Sequence, residues 1–291
     1  MPAIKTEELT KFYGKTRGID RVSLEIEEGD FFGFIGPNGA GKSTTIRTLL
    51  GFIEKTAGRA EIFGMDIGKY RTEIAKNVGY LPSETAYYSG MRVRDMLALS
   101  ANLRGIDCSA EAKILCERLK LEPERKISSL SFGNRKKVGI VCALQHKPRL
   151  YILDEATSGL DPIMQHEFFE ILKERNQNGA TIFLSSHNLA EIGKHCKTAA
   201  VIRDGRILVS DSIENLSCTG VKRVILRGIT DIPVIENTRD IKAEGDTLSF
   251  LYSGNADKLI KELSKLSFVD ITISDPDAEE VFLNYYTEEE R

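Results

Sequence analysis

The sequence predicts an α/β protein: a layered, mostly parallel β-sheet with an antiparallel β subdomain and a helical insertion, followed by a small C-terminal α+β domain. Short, continuously apolar runs that end in polar or glycine-rich loops predict the parallel sheet, because strands buried on both faces have this pattern. Runs in which apolar and polar residues alternate predict the antiparallel subdomain, because half-buried strands alternate in this way. The continuous runs are Phe31–Ile35, Tyr151–Leu153, Thr181–Leu184 and Ala199–Ile202, and the alternating runs are Ile4–Leu9, Val22–Ile26 and Ala60–Phe63.

Between the first two continuous runs the sequence becomes helical. Apolar residues recur at helical spacing from about Arg92 to Leu144, which predicts a helical insertion over about residues 84–146. After Gly205 the sequence predicts short strands at 224–226, 248–251 and 269–273, a helix at Ala256–Leu266 and a last helix from about Ala278. Residues 221–291 carry 9 basic and 15 acidic side chains, whereas the rest of the chain is net positive. We therefore expect a main domain over residues 1–215 and a small accessory domain over 216–291.

Composition excludes several classes of protein. The chain has 291 residues and a formal net charge of −3, so it lacks the broad basic field that a non-specific nucleic-acid binder uses. Its most apolar stretch, Val138–Leu144, is far shorter than the ~20 residues that a membrane-spanning helix needs. The charged N-terminal residues predict no signal peptide, and the five cysteines lack zinc-type spacing, so we interpret them as structural. A cytoplasmic location is expected.

A phosphate-binding loop follows the first buried strand. Gly36-Pro37-Asn38-Gly39-Ala40-Gly41-Lys42-Ser43 matches the pattern G-x-x-x-x-G-K-[ST] and precedes a helical pattern at Ser43–Leu50. Glycines let the backbone N–H groups surround an anion, and the helix adds its positive N-terminal end. We expect Lys42 to reach the β- and γ-phosphates, Ser43 to bind Mg²⁺, and Thr44 to join the loop in holding the nucleotide.

Two carboxylates end the second buried run, at Asp154 and Glu155. Alone, an Asp-Glu pair in this position is more often a surface loop or the start of a helix. Together with the phosphate loop it predicts a hydrolytic site, because ligands of open α/β sheets bind outside the carboxyl ends of the strands. We expect Asp154 to bind Mg²⁺ and Glu155 to act as the general base that orients water in line with the γ-phosphate.

These motifs resemble the ATPase subunit of ATP-binding-cassette (ABC) transporters over about residues 3–215. Leu130-Ser131-Phe132-Gly133-Asn134 stands at that family's LSGGQ signature, and Ser158-Gly159-Leu160-Asp161 stands at its D-loop. His187 stands at the switch histidine, and Tyr13 at the aromatic residue that stacks on adenine. The resemblance implies a P-loop NTPase with the ABC cassette fold, which binds ATP and Mg²⁺ and hydrolyses ATP.

The resemblance also implies a head-to-tail dimer, with either an identical or a different ATPase subunit. In that dimer Ser131 and Gly133 bind the γ-phosphate of ATP held by the second copy, and Asp161 links the two sites. His187 contacts the γ-phosphate and the attacking water. Simpler alternatives stay open: Ser131 and Asp161 as helix caps, His187 as a polar loop residue and Tyr13 as edge packing. The basic run 135–137 is interpreted as a solvated helix face.

Two positions depart from the family pattern. Ser83 stands where the family has a glutamine whose amide touches Mg²⁺ and water, and Glu84 follows it. Because the serine hydroxyl is shorter, either water bridges it to the metal, Glu84 substitutes, or nucleotide and membrane domain are coupled differently. Our hypothesis is that Ser83 keeps basal hydrolysis low. The second departure is in the signature, where Phe132 and Asn134 replace glycine and glutamine.

The family resemblance implies a separate integral membrane permease subunit as partner and a peripheral location on the inner face of the cell membrane. Glu84–Leu97 is the corresponding docking segment, with Tyr87 and Tyr88 as candidate contacts. Ser274–Tyr286 resembles the closing helix of exporter subunits, so we expect an exporter and no nucleic-acid partner. The alternatives are an importer subunit, a soluble ABC ATPase acting on ribosomes or nucleic acid, and a nucleotide-binding regulator without turnover.

Overall fold

The computed structural model describes residues 1–88, 90–217, 221–229 and 235–274. Its internal contacts divide the chain into two compact units, residues 1–211 and 212–291. In the described residues no helix combines the length and the apolar character needed to cross a membrane.

The first unit alternates strands and helices along the chain. Its strands are β1 (Pro2–Tyr13), β2 (Thr16–Glu27), β3 (Phe31–Ile35), β4 (Ala57–Ile62), β5 (Met65–Asp66), β6 (Val78–Leu81), β7 (Leu150–Asp154), β8 (Thr181–Ser186), β9 (Thr198–Arg203) and β10 (Arg206–Ser212). Its helices are α1 (Lys42–Leu49), α2 (Arg71–Asn77), α3 (Val93–Asn102), α4 (Ser109–Arg118), α5 (Phe132–Leu144), α6 (Pro162–Gln177) and α7 (Leu189–His195), with a short 3₁₀ turn at Ile127–Ser129.

A six-stranded sheet with the order β10-β9-β3-β8-β7-β6 forms the centre of this unit. The strands from β9 to β6 pair in parallel. Every residue of β3, β7 and β8 is buried, which explains their continuously apolar sequences. The four predicted parallel strands are confirmed. We did not predict β6 or β10, because β6 has only four residues, one of them glycine, and β10 is half-exposed.

A four-stranded sheet with the order β2-β1-β4-β5 forms the antiparallel subdomain. The alternation in β2 matches its burial, since Val22, Leu24 and Ile26 are buried and their neighbours are exposed. The three predicted antiparallel strands are present, and the two sheets share one hydrophobic core.

The predicted helical insertion is present between β6 and β7. Helix α5 packs against β6 and α3. Arg118 of α4 binds Glu167 and Glu174 of α6 through its guanidinium, at 2.5 and 2.6 Å, which fastens the insertion to the sheet layer. The interpretation of residues 135–137 as a solvated face is wrong, because Lys136 is 1% and Lys137 7% exposed. Lys136 points to the carbonyl oxygens of Pro82 and Ser83, which follow β6, and long aliphatic stems allow lysines to lie at buried positions.

The second unit is a separate α+β structure. Its elements are α8 (Ile213–Ser217), β11 (Val221–Arg227), β12 (Thr238–Glu244), β13 (Thr247–Ser253), α9 (Ala256–Leu263) and β14 (Asp270–Ser274). The strands form an antiparallel sheet with the order β12-β13-β11-β14. Strand β12 was not predicted, because most of its side chains are exposed and its charged residues interrupt the alternation of apolar and polar residues that marks a strand. The last helix predicted from Ala278, and Cys218, lie outside the described residues.

Candidate functional site

The candidate residues lie at one edge of the central sheet, at the ends of four parallel strands. In the pairing register Leu81 lies beside Leu153, Asp154 beside Ser185, and Ile35 beside Ser186. The carboxyl ends of β3, β6, β7 and β8 are therefore level with one another. The residues that follow these ends are the phosphate loop, Ser83, Glu155 and His187, so strand register brings together motifs that are far apart in sequence.

The phosphate loop runs from Gly36 to Ser43, between β3 and α1. Gly41 precedes α1 with a φ of 108°, and a Cβ there would lie 2.9 Å from the carbonyl oxygen of Gly18. Glycine is therefore required both by conformation and by space. The Lys42 side chain is only 6% exposed, and its ammonium donates to the carbonyl oxygens of Gly36 at 2.6 Å and Pro37 at 3.2 Å. The cation is thus held over the loop backbone.

Asp154 is completely buried at the end of β7 and is surrounded by hydroxyl groups. Ser43 Oγ donates to Asp154 Oδ2 at 2.7 Å, and Ser185 Oγ donates to Oδ1 at 3.0 Å. Ser43 and Asp154 thus present two hard oxygen ligands side by side, the donor type that Mg²⁺ prefers. The residues fit the predicted metal.

Glu155 lies between two side chains that the sequence analysis singled out. Its Oε2 accepts from His187 Nδ1 at 2.7 Å, and its buried Oε1 lies 3.3 Å from Lys42 Nζ without hydrogen-bond geometry. Its backbone N–H donates to Ser185 O at 3.0 Å, and its φ is +50°, a strained value for a residue other than glycine. The carboxylate thus has one side chain beside each oxygen, His187 at Oε2 and Lys42 at Oε1.

A pocket of about 430 Å³ opens over the phosphate loop. Its lining joins Tyr13 and the β1–β2 hairpin to the loop and to Ser83 and Glu155; the full set is Tyr13, Thr16, Arg17, Gly18, Pro37, Asn38, Gly39, Gly41, Lys42, Ser43, Thr44, Ser83 and Glu155. The Tyr13 ring is half-exposed, with Lys11 Nζ 5.2 Å from its centroid. Sequence reasoning missed Thr16 and Arg17, since a hairpin turn carries no signal of what it faces.

A larger cavity of about 800 Å³ lies between α3 and α4. Its walls are mainly apolar, and the phosphate loop and the two carboxylates that end β7 are not among its described lining residues. Of the two, only the smaller pocket is lined by the phosphate loop and Glu155 among the described residues.

The signature and D-loop residues contact each other and are not among the described residues that line this pocket. Ser131 caps α5 by accepting from Asn134 N at 3.3 Å, and Asp161 caps α6 by accepting from Met164 N at 3.0 Å. A Cβ on Gly133 would collide with the carbonyl oxygen of Gly159, and the Phe132 ring covers Gly159. Glycine at 133 is thus required by contact within the chain. Phe132 remains 53% exposed.

Lys136 and Glu191 lie close to the site but were not predicted there. Lys136 Nζ donates to the carbonyl oxygens of Pro82 at 3.0 Å and Ser83 at 2.9 Å. Burial lowers the pKa of the Lys136 amine to about 8, although the charges of Asp154 and Glu155 oppose this effect. Burial also raises the pKa of the Glu191 carboxyl, against hydrogen bonds from neighbouring hydroxyls. No motif marks either residue in the sequence.

The chain matches the protein family described as "ABC transporter" over residues 19–158. A bacitracin transport ATP-binding protein of Bacillus licheniformis is 38% identical over 73% of this chain and 71% of that protein. A linearmycin resistance ATP-binding protein of Bacillus subtilis (strain 168) is 26% identical over 97% of both chains. A solved structure described as the ATP binding subunit of an ABC transporter is 29% identical, covers 74% of this chain and 91% of its own, and has a TM-score of 0.69.

Proposed function

Since the chain belongs to the ABC transporter family as an ATP-binding, ATP-hydrolysing subunit, we propose that it powers an exporter by closing a subunit dimer against a membrane permease. The observation that carries this proposal is the constellation at the sheet edge: Lys42 in the phosphate loop, Ser43 on Asp154, and Glu155 between Lys42 and His187. These groups combine phosphate binding with a carboxylate that faces the same pocket. We propose ATP as the nucleotide and Mg²⁺ as the metal.

The roles in hydrolysis follow from this placement. Tyr13 stacks on the base, while the loop amides and Lys42 bind the phosphates. Glu155 accepts the proton of the water that attacks the γ-phosphorus, as the bond to the β,γ-bridging oxygen breaks. His187 donates to Glu155 Oε2 and thereby fixes the orientation of the carboxylate, whose Oε1 lies beside Lys42. Mg²⁺, held by Ser43 and Asp154, would neutralise charge on the phosphates.

The dimer is supported by where the signature lies. Ser131 and Phe132 are exposed, and Ser131, Gly133 and Asp161 are not among the described residues lining the chain's own pocket. The N–H groups of Phe132 and Gly133 at the start of α5 have no hydrogen bond among the described residues, so they can bind the γ-phosphate of ATP held by a second subunit. ATP joins the two subunits, and hydrolysis replaces one bound polyphosphate with two anions that repel.

Export is supported by the relatives, whose names refer to bacitracin transport and linearmycin resistance. The second name, which refers to resistance, favours removal of a toxic compound over uptake of a nutrient. Within the proposed docking segment, Tyr88 is 71% exposed, whereas the Tyr87 hydroxyl donates to Arg135 O at 3.0 Å. Tyr88 is therefore the better placed of the two for a permease, and the chain would work on the cytoplasmic face of the membrane.

Glu155→Gln tests the hydrolytic mechanism. The variant keeps the shape and loses the base, so we expect turnover to fall about 10²- to 10⁴-fold and an ATP-bound dimer to accumulate on a sizing column. Glu122→Gln is the matched control, because Glu122 is exposed on the helical insertion. A wild-type chain that binds ATP and never hydrolyses it would contradict the mechanism and favour a regulator.

The transport role is tested by purifying the tagged full chain from solubilised membranes. We expect an integral membrane protein to copurify, and we expect less of it after Tyr88→Ala. Recovery of ribosomes or DNA in its place would contradict export and favour the soluble ABC ATPases.

A further inference from the structure

We propose that Lys136 is a positioning residue for ATP hydrolysis, which holds the Ser83 loop against the nucleotide pocket from the helix that begins at the signature. The proposal rests on the proposed function, because it concerns the same pocket. It assigns a role to a buried cation that the reaction described above leaves unused.

The Lys136 ammonium is buried beside the loop that contains Ser83. The side chain is 1% exposed and reaches from α5 to the segment that follows β6. There it donates to two successive carbonyl oxygens, of Pro82 at 3.0 Å and Ser83 at 2.9 Å. Two charge-assisted hydrogen bonds to adjacent peptide groups fix both the position and the orientation of that turn.

Helix α5 contacts the same segment at further points. Tyr87 OH donates to Arg135 O at 3.0 Å. A Cβ on Gly139 would lie within 3.0 Å of Leu81, Thr85 and Tyr87 side-chain atoms, so the helix and the segment are in close contact. The segment therefore follows the position of α5, whose N-cap is Ser131.

The surroundings of Lys136 stabilise its positive charge. A buried ammonium is costly unless it is paired and hydrogen-bonded. Here the two carbonyls supply the hydrogen bonds, and the carboxylates of Asp154 and Glu155 supply an attractive field. The cation is thus retained at the edge of the hydrolytic site, and no carboxylate forms a direct ion pair with it among the described contacts.

Ser83 lines the pocket beside Ser43 and Glu155, and its side chain is short. A long side chain tolerates some movement of its backbone, because it can change rotamer to recover its reach. A serine hydroxyl has one rotatable bond to the backbone and cannot. The position of the Ser83 hydroxyl therefore depends on the two hydrogen bonds that Lys136 donates to this loop. Loss of these hydrogen bonds should slow hydrolysis, because misplacement by about 1 Å can lower a rate about 10²-fold.

The experiment compares turnover and nucleotide affinity of Lys136→Met, Ser83→Ala and the double variant. We expect each single variant to lower kcat about 10-fold or more while the Kd for ATP stays within about twofold. The double variant should be no more than about twofold slower than the slower single variant, because both act through one loop. Lys113→Met, exposed on α4, is the matched control and should match wild type.

Limited chymotrypsin digestion of the full chain gives a readout that does not require turnover, because Tyr87 and Tyr88 provide cleavage sites in this segment. We expect cleavage after these tyrosines to be about 10-fold faster or more in Lys136→Met than in Lys113→Met, and Lys136→Gln, which keeps a donor, to recover part of the resistance. Unchanged cleavage, or multiplicative kcat losses in the double variant, would overturn the proposal. If wild type hydrolyses ATP and Lys136→Met does so equally well, only this inference fails; a wild type without turnover refutes the proposed function instead.

Discussion

His146 makes the stability of this protein depend on pH below neutrality. It follows α5, and its Nε2 donates to the carbonyl oxygen of Val78 at 3.2 Å, at the start of the strand that leads to Ser83. Its Nδ1 is buried and has no hydrogen-bond partner in the described part of the chain. Burial, with a smaller contribution from Arg104, lowers the pKa of His146 from 6.5 to about 4. The native protein therefore holds the neutral ring.

The sign and size of the effect follow from proton linkage. Between about pH 6.5 and pH 4 the unfolded chain binds a proton at His146 that the native state excludes, so stability falls as pH falls. From the unfolded pKa of about 6.5 down to pH 5 is about 1.5 pH units, which corresponds to about 2 kcal/mol at about 1.4 kcal/mol per unit. Because the ring is partly exposed, solvent screening reduces this to about 1.5 kcal/mol.

The perturbation is His146→Gln, which keeps a donor for Val78 and removes the titration. The free energy of unfolding is measured by urea titration, followed by circular dichroism, at pH 7 and pH 5. We expect wild type to lose about 1.5 kcal/mol more than the variant between these pH values. His166→Gln, at an exposed position of α6, should behave like wild type. Equal losses in wild type and His146→Gln would refute the reasoning.

Three further substitutions test other parts of the site. Tyr13→Ala should weaken ATP binding by about 1–3 kcal/mol through lost stacking, measured as Kd, while Tyr13→Phe should keep it; equal affinity in both would exclude a stacking role. Gly133→Ala should destabilise the protein by about 1–3 kcal/mol in thermal unfolding, because its Cβ meets Gly159 O, whereas Gly90→Ala, which meets open space, should not. Ser83→Gln should raise basal ATP turnover of the isolated chain, and a slower or equal variant would argue against the short side chain as the brake.

The fold and the phosphate loop were predictable because their signals are local. A loop of fixed spacing between a strand and a helix specifies its own geometry, and β3 and α1 lie within a residue of the predicted bounds. Buried strands such as β7 and β8 are apolar throughout because both faces are covered. Four residues suffice for β6, by contrast, only because β7 pairs along its whole length.

Long-range contacts account for what the sequence did not reveal. Lys136 sits in a run of three basic residues, which has the same local pattern whether it faces water or a carbonyl group. Its burial depends on the position of β6 beside α5, which no pattern within the helix records. Arg17 reaches the pocket for a similar reason, since the β1–β2 hairpin lies over a loop that follows β3.

At position 155, stability and the proposed hydrolysis favour different residues. A left-handed φ costs a residue with a Cβ about 1–2 kcal/mol, and glycine would adopt it without strain. A search for more heat-resistant variants would therefore favour glycine at this position, which under the mechanism proposed above removes the base for hydrolysis. Thermal resistance alone is thus a misleading criterion for improving this chain, and screens need to select for turnover as well.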